Sequence, residues 1–187
     1  MRSSPTPFIL VILQLLFALI AGCAVHREYP IGWPQPKDVV DTACTGVAGL
    51  YRNIGANSPN WHIPLTSLLF GKFSINADSV LLTWKSRTLD IIAVKGGKPV
   101  ENAHLAFTAD KYICSPKGLK LKVPAGPSSD DSSIGVRVYA SKAVILSRGE
   151  DGSLIVESST SDLALILLVI PVFITEQQWH RFDLVSQ

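Results

Sequence analysis

Hydrophobic and polar residues alternate with a period of two through most of the chain after residue 45. In the stretch 119–123, LKLKV, leucine and valine alternate strictly with lysine. Successive side chains on a strand point to opposite faces, so this pattern predicts a strand with one buried face. The same alternation predicts strands around 80–84, 89–93, 105–107 and 136–139.

Turn signals separate the predicted strands. Asp151-Gly152 lies between the apolar stretches 144–148 and 154–158, which is typical of a tight hairpin, and Gly96-Gly97 follows another strand pattern. Only the stretch 64–70, PLTSLLF, suggests a helical turn. We therefore predict an all-β fold, a single antiparallel sandwich or barrel-like domain with little helix.

The stretch 163–174, LALILLVIPVFI, is apolar on both alternating faces. It is too short to span a bilayer as a helix, and Pro171 would break a helix. We predict a strand buried on both sides by its own domain, followed by a bend at Pro171. In the alternatives, something other than the domain covers one face of this strand: a bound lipid, a membrane surface or a second protein.

The first 22 residues have the order of an export signal. Arg2 precedes an apolar stretch that starts at Phe8 and ends in two small residues, Ala21 and Gly22. Cys23 follows directly, and the sequence Ile-Ala-Gly-Cys resembles the bacterial lipobox. An uncleaved membrane helix over 8–25 is the alternative, at the lower limit of spanning length.

The lipobox resemblance implies a cellular location and a membrane anchor. It implies cleavage before Cys23, acylation of Cys23, and contact with membrane lipid and with the lipoprotein processing and sorting machinery. Ala24 stands where an aspartate commonly retains Gram-negative lipoproteins on the inner membrane. The expected location is therefore the outer membrane, with the domain in the periplasm or at the cell surface.

The expected organisation has three parts: a signal peptide at 1–22, a lipidated N-terminus and tether at 23–41, and a β domain at 42–187. Residues 24–41 contain three prolines and no periodic pattern, which indicates a tether. An arm lying on the domain is the other interpretation, because Tyr29, Ile31 and Trp33 favour burial.

Charge and length exclude some classes of function. Without Arg2, 16 basic residues face 15 acidic ones, so no basic stripe indicates a nucleic-acid partner. The 165 residues from Cys23 onward are enough for one domain with a real core.

Two cysteines follow Cys23, namely Cys44 and Cys114. A pair of cysteines in an oxidising compartment predicts a disulfide, which would stabilise the domain by about 4 kcal/mol in the chain-entropy model. A buried free thiol and a catalytic thiol are the competing interpretations.

The stretch 44–55, CTGVAGLYRNIG, resembles the start of the globular part in a group of small Gram-negative lipoproteins without an assigned activity. Shorter stretches as far as Trp179-x-Arg181-Phe182 resemble the same group in the same order. The resemblance implies a compact domain on a lipid anchor and no activity.

The candidate chemistry is sparse. The four histidines lack the spacing of metal ligands, and no cofactor is expected. Ala43-Cys44-Thr45-Gly46-Val47 and the segment at His104 are similar to the nucleophile and base motifs of NlpC/P60 cell-wall peptidases, but Ala43 replaces the usual aspartate. We therefore predict a non-catalytic envelope role: scaffolding, binding of an envelope protein partner, or binding of an apolar, lipid-like ligand. A cysteine peptidase using Cys44 and His104 is the alternative.

Overall fold

We analysed a computed structural model of the chain. It describes residues 23–25, 27–37, 44–55, 63–71, 75–85, 88–106, 112–123, 135–166 and 170–185. In parts of these ranges the description is limited to the backbone, namely 23–25, 105–106, 112, 123, 135–140, 162–166 and 170–173.

Ten strands account for most of the described chain, and they are connected by short turns or by segments outside the description. They are β1 Cys23–Val25, β2 Gly49–Arg52, β3 Ser79–Lys85, β4 Thr88–Lys95, β5 Lys98–Ala106, β6 Tyr112–Ser115, β7 Gly118–Val123, β8 Gly135–Arg148, β9 Leu154–Ile166 and β10 Ile170–Phe182. One α-helix, α1, covers Leu65–Phe70, and a 3-10 helix covers Thr45–Val47.

The strands form two sheets. A six-stranded sheet has the order β1-β10-β9-β8-β7-β6, and a four-stranded sheet has the order β2-β3-β4-β5. All neighbours are antiparallel except β1 and β10, which run parallel. The prediction of an all-β, sandwich-like domain with little helix is therefore confirmed.

The core lies between the inner faces of the two sheets. Alternate residues from both sheets are almost fully buried, and α1 adds Leu65 and Leu68. The side chains in this cluster include Val80, Leu82, Leu89 and Ile91 from one sheet and Leu119, Leu121, Val144, Leu146, Leu154, Val156 and Phe182 from the other. Burial of apolar surface on this scale is the main force that holds the sheets together.

The motif glycines and Tyr51 have packing roles. Tyr51 on β2 is fully buried, and its hydroxyl donates a hydrogen bond to the carbonyl of Val47 at 3.0 Å. A Cβ atom on Gly55 would lie 2.6 Å from the carbonyl oxygen of Arg181, so a larger residue would displace the backbone. Val47 lies in the 3-10 helix before that strand.

Strands β8, β9 and β10 are much longer than the others and form a three-stranded ribbon. We divide it into three zones. The core end is 144–148, 154–157 and 179–182; the polar middle is 141–143, 158–162 and 175–178; the apolar end is 135–140, 163–166 and 170–174. Strands of 13 residues extend about 40 Å, so the ribbon continues well past Val144 and Val156, which belong to the described core.

The apolar stretch 163–174 does not form one strand. Residues 163–166 end β9 and residues 170–174 begin β10, and the two segments pair with each other. The predicted bend at Pro171 is wrong, because Pro171 lies inside β10 opposite Leu165. Among the described residues this part of β10 pairs on one side only, and such edge positions tolerate proline. The predicted burial of both faces concerns side chains that lie outside the description.

Residues 27–37 lie on the domain, which is the second of the two interpretations of this segment. The amide of Lys37 donates to the carbonyl of Arg148 at 2.8 Å, and the amide of Glu150 donates to the carbonyl of Gln35 at 3.1 Å. These bonds attach the segment, which we call the N-terminal arm, to the β8–β9 turn.

Candidate functional site

The N-terminal arm crosses the outer face of the six-stranded sheet at Trp179. The ring of Tyr29 stands edge-on to that of Trp179 at 5.0 Å, and the indole Nε1 of Trp179 donates to the carbonyl of Arg27 at 3.0 Å. The hydroxyl of Tyr29 donates to the carbonyl of Pro34 at 2.5 Å, which closes the arm on itself. Burial raises the pKa of Tyr29, so this hydroxyl keeps its proton.

Alternation along the strands explains why Trp179 faces outward. His180, the next residue, is buried on the inner face, and Trp179 therefore points to the opposite side. On the same outer face Ile155 is fully buried although it is not part of the core between the sheets. The arm and its aromatic residues thus form a small second layer on this face.

A cleft of about 400 Å³ opens beside the arm. Its walls include Pro36 and Lys37 from the arm, Pro116 and Lys117 from the β6–β7 turn, and Glu157 and Trp179 from the sheet. The carboxylate of Glu157 accepts a hydrogen bond from Gln177 at 2.6 Å. The cleft thus contains two lysines, Lys37 and Lys117, and one carboxylate, that of Glu157, which is already hydrogen-bonded. This excess of positive charge makes the cleft suited to an acidic segment of a partner.

Cys23, the predicted lipidation residue, begins β1 and lies at the edge of the six-stranded sheet. Its register partner on β10 is Ile174, and Ala24 and Val25 pair with Thr175 and Glu176. Acylation of Cys23 stays a prediction. The structure adds that the candidate anchor residue is paired directly with the domain.

The predicted disulfide between Cys44 and Cys114 is confirmed. The two Cα atoms are 5.7 Å apart, and the bridge joins residues that are 70 positions apart. Cys44 is fully buried just before the 3-10 helix, and Cys114 lies on β6 beside the core. The bridge thus links the start of the domain to the edge of the six-stranded sheet.

This bond removes the nucleophile from the peptidase alternative. A disulfide sulfur is not a thiolate, and Cys44 in this state cannot attack a substrate. The residue that follows Cys44 starts a 3-10 helix of three residues instead of the long helix that activates such nucleophiles.

His104, the base in that alternative, pairs with another residue. Its ring nitrogen Nδ1 lies 2.7 Å from Oδ1 of Asp90, directly across strands β4 and β5, and Lys85 lies 3.4 Å from the other carboxylate oxygen. The hydrogen bond from His104, with help from Lys85, holds the pKa of Asp90 below its usual range. Cross-strand pairs of this kind stabilise a sheet.

A second polar group lies on the inner face where the core ends. His180 Nε2 is 3.2 Å from the hydroxyl of Ser158, and the ammonium of Lys142 lies 3.4 Å from the carbonyl of Ser67. Burial, together with the nearby charges of Lys142 and Arg27, lowers the pKa of His180 to about 4. Burial also lowers the pKa of Lys142. We infer that His180 is neutral in the folded protein at neutral pH.

The described residues contain neither a metal site nor a membrane-spanning helix. No group of three or more histidine, cysteine, aspartate or glutamate side chains in these residues could hold a metal ion. No helix in the same part of the chain is long and apolar enough to cross a membrane.

Comparison with known protein families, with curated proteins and with solved structures gives no match. The lipobox resemblance and the resemblance to small lipoproteins therefore stay predictions from the sequence.

Sequence reasoning missed the cleft and the pairing of β1 with β10. The only signal for the cleft was the set of aromatic residues in the proline-rich segment. These residues favoured burial, but the sequence did not indicate which surface of the domain they would contact. Nothing local indicated the pairing of β1, because strand pairing between residues 23 and 174 depends on contacts distant in sequence.

Proposed function

We propose that this protein is a lipid-anchored outer-membrane lipoprotein with a non-catalytic envelope role, in which the β domain is a scaffold that binds an envelope protein. The domain faces the periplasm in this proposal, with the cell surface as the other possible side. The observation that carries the choice of a scaffold is the filled interior of the sandwich.

A carrier of an apolar ligand needs a dry cavity inside the domain. Here leucine, valine and isoleucine side chains from both sheets occupy the space between them, with Tyr51 and Phe182 among the largest buried residues. A filled core favours a protein that presents surfaces over one that encloses a ligand.

The anchor in this proposal is Cys23. The leader sequence and the lipobox resemblance support acylation, and Ala24 supports delivery to the outer membrane. Two or more acyl chains are sufficient for stable anchoring, since each buried CH₂ contributes about 0.8 kcal/mol.

The partner surface in this proposal is the cleft beside the N-terminal arm. Lys37 and Lys117 would attract an acidic segment, and the exposed side of Trp179 would provide apolar contact. The cleft adjoins the core end of the ribbon, so a bound partner would contact a rigid part of the domain.

The anchor is tested by mass spectrometry of the N-terminal peptide of the protein purified from membranes. We expect a peptide that begins at Cys23 and carries acyl groups, and we expect Cys23→Ala to leave the precursor uncleaved. An intact leader without acyl groups in the wild-type protein would refute the anchor.

The scaffold role is tested by two measurements. Organic extraction of the purified protein should release no lipid in equimolar amount. The acyl chains of Cys23 should be released only after chemical cleavage. A photo-crosslinking residue at Lys117 should give a discrete adduct in cells, whereas the same residue at Lys98, exposed on the other sheet, should not. An equimolar extractable lipid, or equal adducts at both positions, would contradict the scaffold proposal.

A further inference from the structure

The apolar end of the ribbon and the candidate anchor lie at the same level of the structure. Cys23 pairs with Ile174, the last residue of the apolar end on β10, and Ala24 pairs with Thr175, the first residue of the polar middle. The anchor residue therefore marks the boundary between the two zones.

That boundary is a property of three strands, not of one stretch of sequence. In the polar middle, Lys142, Thr160 and Glu176 are register partners on β8, β9 and β10. Beyond the boundary, residues 135–140, 163–166 and 170–174 contain one charged residue, Arg137, and Asp162 of β9 lies at the boundary itself, opposite Ile174. Segments distant in the chain thus change from polar to apolar within one residue of a common level.

The direction of β1 determines on which side the membrane lies. Because β1 runs parallel to β10, the N-terminal end of β1 at Cys23 points toward the apolar end. Acyl chains on Cys23 or a retained leader helix would both place the bilayer on this side. Pairing of Cys23 with β10 leaves no tether between the anchor and the ribbon.

We propose that the apolar end of the ribbon is a second membrane contact, which enters the boundary between lipid headgroups and acyl chains next to Cys23. This inference rests on the lipid anchor proposed above. The occupant in this proposal is the lipid bilayer, and cover by a second copy of the chain or by the domain itself is the alternative that the test below distinguishes.

The extent of the ribbon beyond the anchor fits such a contact. Residues 170–174 extend about 14 Å past the level of Cys23 at about 3.4 Å per residue. A ribbon that is held at Cys23 and continues for this distance meets the bilayer unless it lies flat along the surface. In either orientation its apolar residues contact lipid.

The free strand edges limit the depth of the contact. Among the described residues, β8 has no neighbour on its outer side over 135–141, and β10 has none over 170–173. Unpaired backbone groups are not stable in the hydrocarbon interior. The ribbon therefore inserts obliquely to the depth of interfacial segments, about 5–10 Å.

The one charged residue of the apolar end is compatible with this depth. Arginine is tolerated at membrane interfaces because its long side chain reaches the phosphate level while its stem lies against apolar groups. Two contacts, the anchor and the ribbon, would also give the domain a defined orientation, with the cleft directed away from the bilayer.

The test uses the full lipidated protein in vesicles of phosphatidylethanolamine and phosphatidylglycerol. An environment-sensitive fluorophore is attached to a cysteine at Leu165→Cys or Val172→Cys in the apolar end, or at Ser159→Cys in the polar middle as the matched control. We expect the emission at 165 and 172 to shift to shorter wavelength and to be quenched by nitroxide-labelled lipids. The control should show neither effect.

Three readouts separate the outcomes. Emission at 165 and 172 like that of the control would overturn the proposal, and so would a shifted emission that nitroxide lipids do not quench, because a protein surface would then provide the cover. Vesicle flotation and the mass of the N-terminal peptide report the anchor separately. Loss of flotation with no acyl groups refutes the anchor, whereas flotation with a water-exposed label refutes only the ribbon contact.

A charge substitution provides an independent check. Val172→Glu should abolish lipid quenching of a label at residue 165 while the protein stays bound to vesicles through Cys23. Retention of the Cys44–Cys114 disulfide and of the intrinsic tryptophan emission would verify that this variant is folded. Undiminished quenching in a folded variant would contradict insertion of this end.

Discussion

The two ends of the β8–β10 ribbon are both rich in apolar residues, but only the core end contributes residues to the described core. At the core end, Leu146 and Val156 face the four-stranded sheet and are fully buried within the domain. At the apolar end, residues of the same types lie beyond a polar zone. Ile174, where side-chain burial is again described, is 42% exposed.

This difference shows that a high content of apolar residues in a strand does not by itself identify a core. A strand can be apolar because a second sheet covers it or because something outside the domain covers it. The polar middle distinguishes the two cases in this ribbon. Burying Lys142, Thr160 and Glu176 inside a continuous core would cost free energy, because polar and charged groups would lose contact with water.

The largest effect is expected from removing the same side chain at the two ends of β10. Phe182→Ala at the core end should lower the free energy of unfolding by about 3–5 kcal/mol, because Phe182 is fully buried. Phe173→Ala at the apolar end should have a much smaller effect. Urea unfolding of the vesicle-bound protein, followed by tryptophan fluorescence, measures both. Equal losses would show that both ends are packed cores and would remove the comparison.

The next effect concerns the disulfide beside the core end. Cys44→Ser and Cys114→Ser should each lower the free energy of unfolding by about 2–5 kcal/mol, because the bridge closes a loop of 70 residues. The same unfolding measurement applies, with the wild-type protein under reducing conditions as the control. The double variant should resemble the single variants. Unchanged stability in either single variant would indicate that the bridge contributes little to the core end.

The smallest effect is expected at His180, where the core gives way to the polar middle. Its pKa is lowered from 6.5 to about 4 in the folded protein, so the unfolded chain binds a proton at higher pH than the folded one. The contribution of neutral His180 to the free energy of unfolding should therefore be fully present above pH 6.5. It should decrease as the pH falls toward 4. The loss is at most about 3.5 kcal/mol, since one pKa unit corresponds to about 1.4 kcal/mol.

Two variants isolate this pH dependence. His180→Gln should flatten the change in stability between pH 6.5 and 4, whereas His104→Gln, at an exposed ring, should retain it. Asp90 does not interfere in this interval, because its pKa lies below its usual range and its contribution is lost only at lower pH. An unchanged slope in His180→Gln would mean that the boundary of the core is more hydrated than its burial indicates.

Several parts of the fold followed from the sequence alone. Alternation in LKLKV and around Val80–Trp84 predicted strands that the structure contains, because side-chain period is a local property of a strand. Asp151-Gly152 predicted the turn between β8 and β9, where Gly152 has a φ of 85° that favours glycine. The count of cysteines after Cys23 predicted the disulfide, because only one pairing was open.

Other features were decided by contacts between distant parts of the chain. The proline-rich segment at 27–37 became an arm because Trp179 and the β8–β9 turn offered it partners. Pro171 lies in a strand because its neighbourhood in the sheet is an edge, which its own sequence does not reveal. The pairing of Cys23 with Ile174 joins the start of the domain to its last strand, and it brings the candidate anchor to the apolar end. Local patterns specify which residues form strands, but register and neighbours depend on tertiary packing, because only the assembled sheet determines which edges and faces still need cover.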